Sequence, residues 1–238
     1  MKKIITLLVL SMTLKAGFAQ NGIFSKDTEG RSADHFMLQV SNDMWLNMPD
    51  SINDRIKATS RGFNFQVMLD KPFKSNPKFS VAFGIGISTS GAFFENTRLA
   101  IDGTSPKLLF ERLDTVNRFK KYKLATTFAE IPLELRYFSK PKDPNKSVKI
   151  AIGAKVGLLV NAHTKGKIQQ NRNGNVLNDN TVKINDKSYF NTTRISATAR
   201  VGYGNFTIFS SYSLNSLFKN SVAAEIKPLQ IGICFSGL

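Results

Sequence analysis

The stretch Phe79-Ser80-Val81-Ala82-Phe83-Gly84-Ile85-Gly86-Ile87-Ser88 decides the fold. Every odd position is large and apolar, and every even position is Ser, Ala or Gly. Successive side chains of a β-strand point to opposite faces, so this segment has one greasy face and one small face. A solvated face would be rich in Lys and Glu. A small face suits a crowded lumen, and an unbroken apolar face suits hydrocarbon.

Seven other segments repeat the pattern. The first strand, about 35–45, turns Phe36, Leu38 and Val40 outward. The second, 62–70, sets Phe63, Phe65, Val67 and Leu69 against Asn64, Gln66 and Asp70. The stretch 79–88 is the third. The fourth, about 124–138, sends Ala129, Ile131, Leu133, Leu135 and Tyr137 outward and Glu130, Pro132, Glu134 and Arg136 inward. The fifth opposes Val148, Ile150, Ile152, Ala154, Val156, Leu158 and Val160 to Lys149, Ala151, Gly153, Lys155 and Gly157. The sixth opposes Ile195, Ala197, Ala199, Val201 and Tyr203 to Arg194, Ser196, Thr198 and Arg200. A two-residue turn at Gly204-Asn205 makes Tyr203 and Phe206 cross-strand partners, so Phe206, Ile208 and Tyr212 of the seventh strand face outward too. In the eighth, Leu229, Ile231, Ile233 and Phe235 alternate with Gln230, Gly232, Cys234 and Ser236.

The connections alternate as well. Those after strands one, three, five and seven span about 16, 34, 28 and 10 residues, against about 8, 9 and 2 for the others. Strands four and five are also longer than the five or six residues usual in globular proteins, and a membrane strand needs ~9–11. The reading is an all-β chain, an eight-stranded antiparallel up-and-down transmembrane β-barrel with short periplasmic turns and long extracellular loops. Asn173-Gly174, inside the Asn-rich segment 164–191, signals a hairpin projecting into water.

The ends and the charge agree with that address. Lys2-Lys3, an apolar run from Ile4 to Leu14 and the small-residue site Gly17-Phe18-Ala19 read as a secretory signal peptide over residues 1–19, cut before Gln20. Residues 20–34 are polar and aperiodic, a flexible periplasmic leader, and 35–238 are the barrel domain. The chain carries 33 Lys and Arg against 17 Asp and Glu, a formal charge of +16. Those charges are scattered and lack a stacking-aromatic module, so nucleic acid is not the expected partner. Outer-membrane lipid and the phosphates of lipopolysaccharide are expected instead, together with other envelope or secretion proteins. Cys234 is the only cysteine, which excludes an intrachain disulfide.

The run Phe128-Ala129-Glu130-Ile131-Pro132-Leu133-Glu134-Leu135-Arg136-Tyr137-Phe138, followed by Ala151-Ile152-Gly153-Ala154-Lys155-Val156-Gly157, resembles the PorT-like outer-membrane β-barrel family. The strand 206–214 and the ending Ile231-Gly232-Ile233-Cys234-Phe235 are similar to it too. The resemblance covers about Asp34 to Leu238. It implies an eight-stranded barrel in the outer membrane of a Gram-negative bacterium, in a family some of whose members are linked to protein secretion across that membrane.

Seven charged residues fall on the inward faces of strands four to six: Glu130, Glu134, Arg136, Lys149, Lys155, Arg194 and Arg200. Paired carboxylates can do general acid–base work. An eight-stranded barrel, however, is just wide enough to be filled by side chains, and buried charges have to be paired. The seven are therefore read as a lumen charge network, with a proton or ligand path as the functional alternative. Pro132 removes a ladder hydrogen bond and predicts a bulge or kink at its position. Trp45, Tyr122, Tyr137 and Tyr203 fall near strand ends, where an aromatic girdle is expected. His35 and His163 stand without a Cys or Asp cluster, so no metal site is expected. No G-x-S-x-G elbow, phosphate-cradling loop or His-Glu-x-x-His occurs, so no catalytic residues and no cofactor are expected. The functional expectation is a small non-enzymatic barrel with a filled lumen, acting through its external loops in adhesion, assembly or secretion. A narrow pore and a barrel enzyme acting on outer-membrane lipid are the rivals.

Overall fold

The computed structural model of the chain describes residues 35–113, 118–171 and 173–237. The signal peptide and leader expected over 1–34 lie outside them. Eleven strands follow one another: β1 (Phe36–Leu46), β2 (Arg61–Pro72), β3 (Phe79–Phe94), β4 (Thr97–Leu99), β5 (Phe110–Arg112), β6 (Arg118–Phe138), β7 (Val148–Gln170), β8 (Val176–Asn185), β9 (Thr193–Tyr203), β10 (Phe206–Ser213) and β11 (Lys227–Ser236). Eight of them form a closed ring in the order β6-β3-β2-β1-β11-β10-β9-β7, with β7 returning to β6. Every neighbouring pair is antiparallel. Closure leaves the ring no edge, because β1 pairs with β11 from Met37↔Ser236 to Leu46↔Lys227. Among the described residues no helix is long and apolar enough to cross a membrane.

Inside and outside sort by parity as the alternation requires. Val40, Phe63, Ile85, Ile131, Ile152, Leu158, Val201, Ile208 and Ile233 all face outward and are exposed. Their sequence neighbours Gln39, Asn64, Ala151 and Cys234 are buried. The Gly204-Asn205 hairpin pairs Tyr203 with Phe206. Gly204 takes φ +57°, the left-handed conformation that a two-residue turn asks of its first residue and that glycine adopts without penalty. Inward glycines also let strands close tightly. A Cβ on Gly232 would come within 2.0 Å of the Val40 carbonyl oxygen, and one on Gly153 within 2.2 Å of that of Leu133.

Three expectations need correction. The long segments after the third and fifth strands are not loops throughout. β3 continues to Phe94, β6 begins at Arg118, β7 runs on to Gln170, and β8 pairs beside it from His163↔Asn185 to Gln170↔Val176. The hairpin at Asn173-Gly174 therefore caps a sheet of β6, β7 and β8 that extends beyond the ring, with Gly174 at φ +87°. Pro132 causes no bulge. The β3–β6 pairing keeps one register from Phe79↔Tyr137 to Phe94↔Tyr122 and merely leaves Gly84 and Ile85 unpaired opposite it. The irregularity lies higher, where Phe128 faces Leu159 but Thr127 faces Asn161, so that Val160 is an extra residue in β7. Beyond it the parity of β7 reverses, and Ala162, Thr164 and Gly166 are buried while Lys167 is exposed.

The third correction concerns the girdle. Trp45 and Tyr122 point inward and are buried. Trp45 meets Phe94 and Phe218 edge-on, with ring centroids 5.5 and 5.9 Å away. Tyr137 and Tyr203 face outward at the opposite end, where Phe79 packs on Tyr137 at 5.2 Å and Phe206 on Phe235 at 5.1 Å. Trp45 and Tyr122 face inward because they fill the apolar cluster at that end, whereas outward aromatics suit strand ends at a lipid–water boundary.

Candidate functional site

The lumen charges assemble from parity and shear. Glu130 on β6 lies 3.0 Å from Lys155 Nζ on β7 and accepts a hydrogen bond from Arg194 on β9. The same Arg194 donates to Ser88 Oγ at 2.8 Å and lies 4.0 Å from the centroid of the Phe128 ring. Ser88 donates to Asn64 Oδ1 at 2.6 Å, and Asn64 in turn donates to Gln39 Oε1 at 3.0 Å, so polar contacts cross the whole barrel at this level.

One layer closer to the short turns, Glu134 accepts from Arg136 Nε at 2.9 Å and from Arg200 at 3.0 Å. Arg136 also approaches Asp70 at 3.7 Å and the Met37 sulfur at 3.6 Å. Lys149, equally buried, lies with its Nζ 5.4 Å from the Phe138 ring centroid. On the other side of the Glu130 layer, Asp43 accepts from Ser41, Ser90 and Gln230. All seven expected residues are thus brought inside. Glu130, Lys155 and Arg194 form one ion-paired cluster and Glu134, Arg136 and Arg200 a second, and Lys149 lies nearer the short turns, against Phe138.

Sequence reading left out two carboxylates. Asp70 sits on the inward face of the second strand, yet the cation it meets, Arg136, is two places round the ring on β6, and which inward groups meet across a barrel depends on shear that alternation does not encode. Asp43 shares the parity of Gln39 and Ser41, which was the available signal.

The lumen is full. Beside Glu134, Arg200 and Lys155 there is a cavity of about 10 Å³, and another of about 10 Å³ lies between Trp45 and Arg194. Each has room for about one water and for no substrate. Above these layers the barrel mouth is closed by Trp45, Phe94, Leu99, Ile101, Leu124, Phe128, Phe190, Phe218 and Ile226, all buried in one apolar cluster. Hydrogen bonds between its segments hold this cap. Tyr122 bridges both the amide and the carbonyl of Leu99 at 3.1 Å. Tyr189 reaches the carbonyls of Gly103 and Ser105 at 2.6 and 2.7 Å, and Asn191 donates to those of Ser216 and Phe218 at 2.8 Å. Larger recesses than those of the lumen lie outside it, on the β6–β7–β8 extension. One face of that extension forms a groove of about 280 Å³ among Leu113, Phe119, Tyr122, Val182 and Ile184. The other face carries lysines.

The histidines lie apart from each other. His35 Nδ1 is 3.1 Å from the Met68 carbonyl, and His163 Nδ1 is 3.1 Å from the Asn161 amide. Burial first, then the ammonium groups of Lys183, Lys123 and Lys165, hold His163 below the ordinary histidine range.

Comparison with known families finds one match that covers most of the chain: the family model for the outer membrane protein beta-barrel domain aligns with residues 14–219. No curated protein matches the sequence.

Proposed function

The chain belongs to the outer membrane protein beta-barrel domain family and so resides in the outer membrane, and from that premise we propose that it is a non-enzymatic, non-conducting barrel that acts through its extracellular surface, as an adhesion, assembly or secretion-accessory protein. The observation that carries the reading is the contrast between a lumen packed with ion pairs beneath an aromatic cap and a sheet that runs well beyond the ring. The outer strand of that sheet, β8, is exposed along nearly its whole length, with Val176 and Leu177 uncovered. Among the described residues no strand pairs with its far edge, and an open row of backbone N–H and C=O groups invites strand addition. The resemblance of 128–138 to the PorT-like family supports the secretion-accessory branch, and export through a signal peptide over 1–19 belongs to the same proposal.

Two measurements test it. Planar-bilayer recordings of the purified barrel should show no stepwise conductance, because an aqueous channel typically takes about 16 strands; reproducible steps would favour the narrow pore. Replacing residues 171–180 by a two-residue turn should leave the barrel folded but unable to restore the cell-surface phenotype that a deletion strain has lost. Full complementation by the shortened chain rejects the extension as the working surface.

A further inference from the structure

Five lysines stand in register on the outer wall of the extension. Lys121 of β6 lies directly opposite Lys167 of β7, Lys123 opposite Lys165, and Lys165 opposite Lys183 of β8. Side chains so opposed have Cβ atoms about 4.5–5.5 Å apart, and like charges at that spacing repel. Among the described residues no carboxylate is within ion-pair distance of any of the five. Burial, and then Lys165 and Lys167, hold the Lys123 ammonium below the usual lysine range. The arrangement depends on the extra residue Val160. Without the parity reversal it causes, Lys165 and Lys167 would turn toward the aromatic cap.

The ladder frames a groove of about 230 Å³ with Phe93 and Tyr122, and Lys123 Nζ stands 5.7 Å from the Phe93 ring centroid. Its height is set by the strands. The outward apolar run ends at Ala129 on β6 and Val160 on β7, six and five residues below Lys123 and Lys165. At ~3.3 Å per residue and a tilt of ~40°, that is roughly 15 Å beyond the hydrocarbon edge, and lysine stems can reach back toward it. Cations without counter-ions at that level face the headgroup layer of the outer leaflet.

We propose that this lysine ladder binds a phosphorylated headgroup of an outer-leaflet glycolipid, with Lys123 and Lys165 on the phosphate and Phe93 against the adjoining sugar. A phosphate dianion placed between opposed ammonium groups converts their mutual repulsion into two charge-assisted contacts. The site depends on the membrane location of the chain and not on the adhesion or secretion role, so either reading can fail alone.

The test uses the full-length barrel in detergent, titrated with bisphosphorylated lipid A, with the same lipid stripped of its phosphates, and with inorganic phosphate, bound lipid being counted by native mass spectrometry. The intact lipid should bind at least tenfold more tightly than the stripped lipid. Lys123→Gln/Lys165→Gln should lose that tenfold, Lys123→Arg/Lys165→Arg should keep it, and Lys74→Gln/Lys142→Gln in the opposite turns should change nothing. The Gln double variant should unfold at an unchanged or higher temperature without lipid, since it removes repulsion, which separates a lost site from a lost fold. Equal retention of the stripped lipid, an unaffected Gln variant, or inorganic phosphate competing at the lipid's own concentration would each overturn the assignment.

Discussion

Glu130 concentrates the chemistry of single residues in this molecule. It answers two buried cations at once, Lys155 and Arg194, so replacing it by Gln leaves both without a counter-charge. Breaking a truly buried pair in this way costs about 3–5 kcal/mol. Adding Lys155→Met should recover part of that loss but not all of it, because Arg194 keeps its unmet charge. Denaturant midpoints of the two single variants and the double give the coupling, and purely additive losses would show that the pair is independent. His163 carries a second expectation at this scale. Its folded pKa is depressed by burial and three lysines, so its neutral form is favoured on folding. The resulting penalty is absent above the unfolded value of ~6.5 and grows as pH falls from there through the folded value. An NMR titration should place His163 below 6.5, and Lys165→Gln should move it upward. A midpoint at or above 6.5 in the unsubstituted chain contradicts the lysine field.

The strand shows which parts of the architecture were legible. Between the short turns and the level of Glu130, lipid outside and a packed lumen inside hold each side chain to one of two roles, and alternation records those roles faithfully. All eight ring strands, the inward face of each and all seven lumen charges follow from that record. Above that level lipid no longer constrains the outer face. Arg118-Phe119-Lys120-Lys121-Tyr122-Lys123 reads as a polar loop although it is strand, and β8 is exposed on alternate and intervening positions alike. Trp45 was misplaced for a related reason, since parity puts it inside but aromatic identity at a strand end suggests a girdle. Pro132 misled in another way. A missing amide interrupts a ladder without shifting it when the neighbouring pairs on both sides hold register. The register itself has a direct check. Ile152 is 58% exposed and Ala151 4%, so Ile152→Arg should cost roughly 2–4 kcal/mol of barrel stability, whereas Ala151→Ser should be tolerated. The opposite ranking in unfolding from lipid bilayers would mean a one-residue slip of β7, which exchanges its two faces.

For the whole molecule, the ring gives every barrel strand a partner on each side, and this separates the fate of the barrel from that of its projections. A closed hydrogen-bonded wall with a packed interior should resist sodium dodecyl sulfate until heated, and so migrate differently on gels before and after boiling. Topology sets which bonds a protease can reach. Both the start of β1 and the end of β11 lie at the end of the barrel that carries the short turns, the side of Lys142 and Lys146, whereas the β7–β8 hairpin with Lys183 and Lys187 lies at the other. Lys183 and Lys187 are exposed, as are Lys142 and Lys146, so accessibility alone does not distinguish the two groups, and only the membrane can. Trypsin added to intact cells should therefore cut within residues 183–187 and spare 142–146, and the nicked barrel should remain folded and heat-modifiable because the cut falls outside the ring. Permeabilising the outer membrane should then expose the 142–146 turn. Cleavage there in intact cells, with the hairpin spared, would invert the molecule in the membrane and place the lysine ladder away from the outer leaflet.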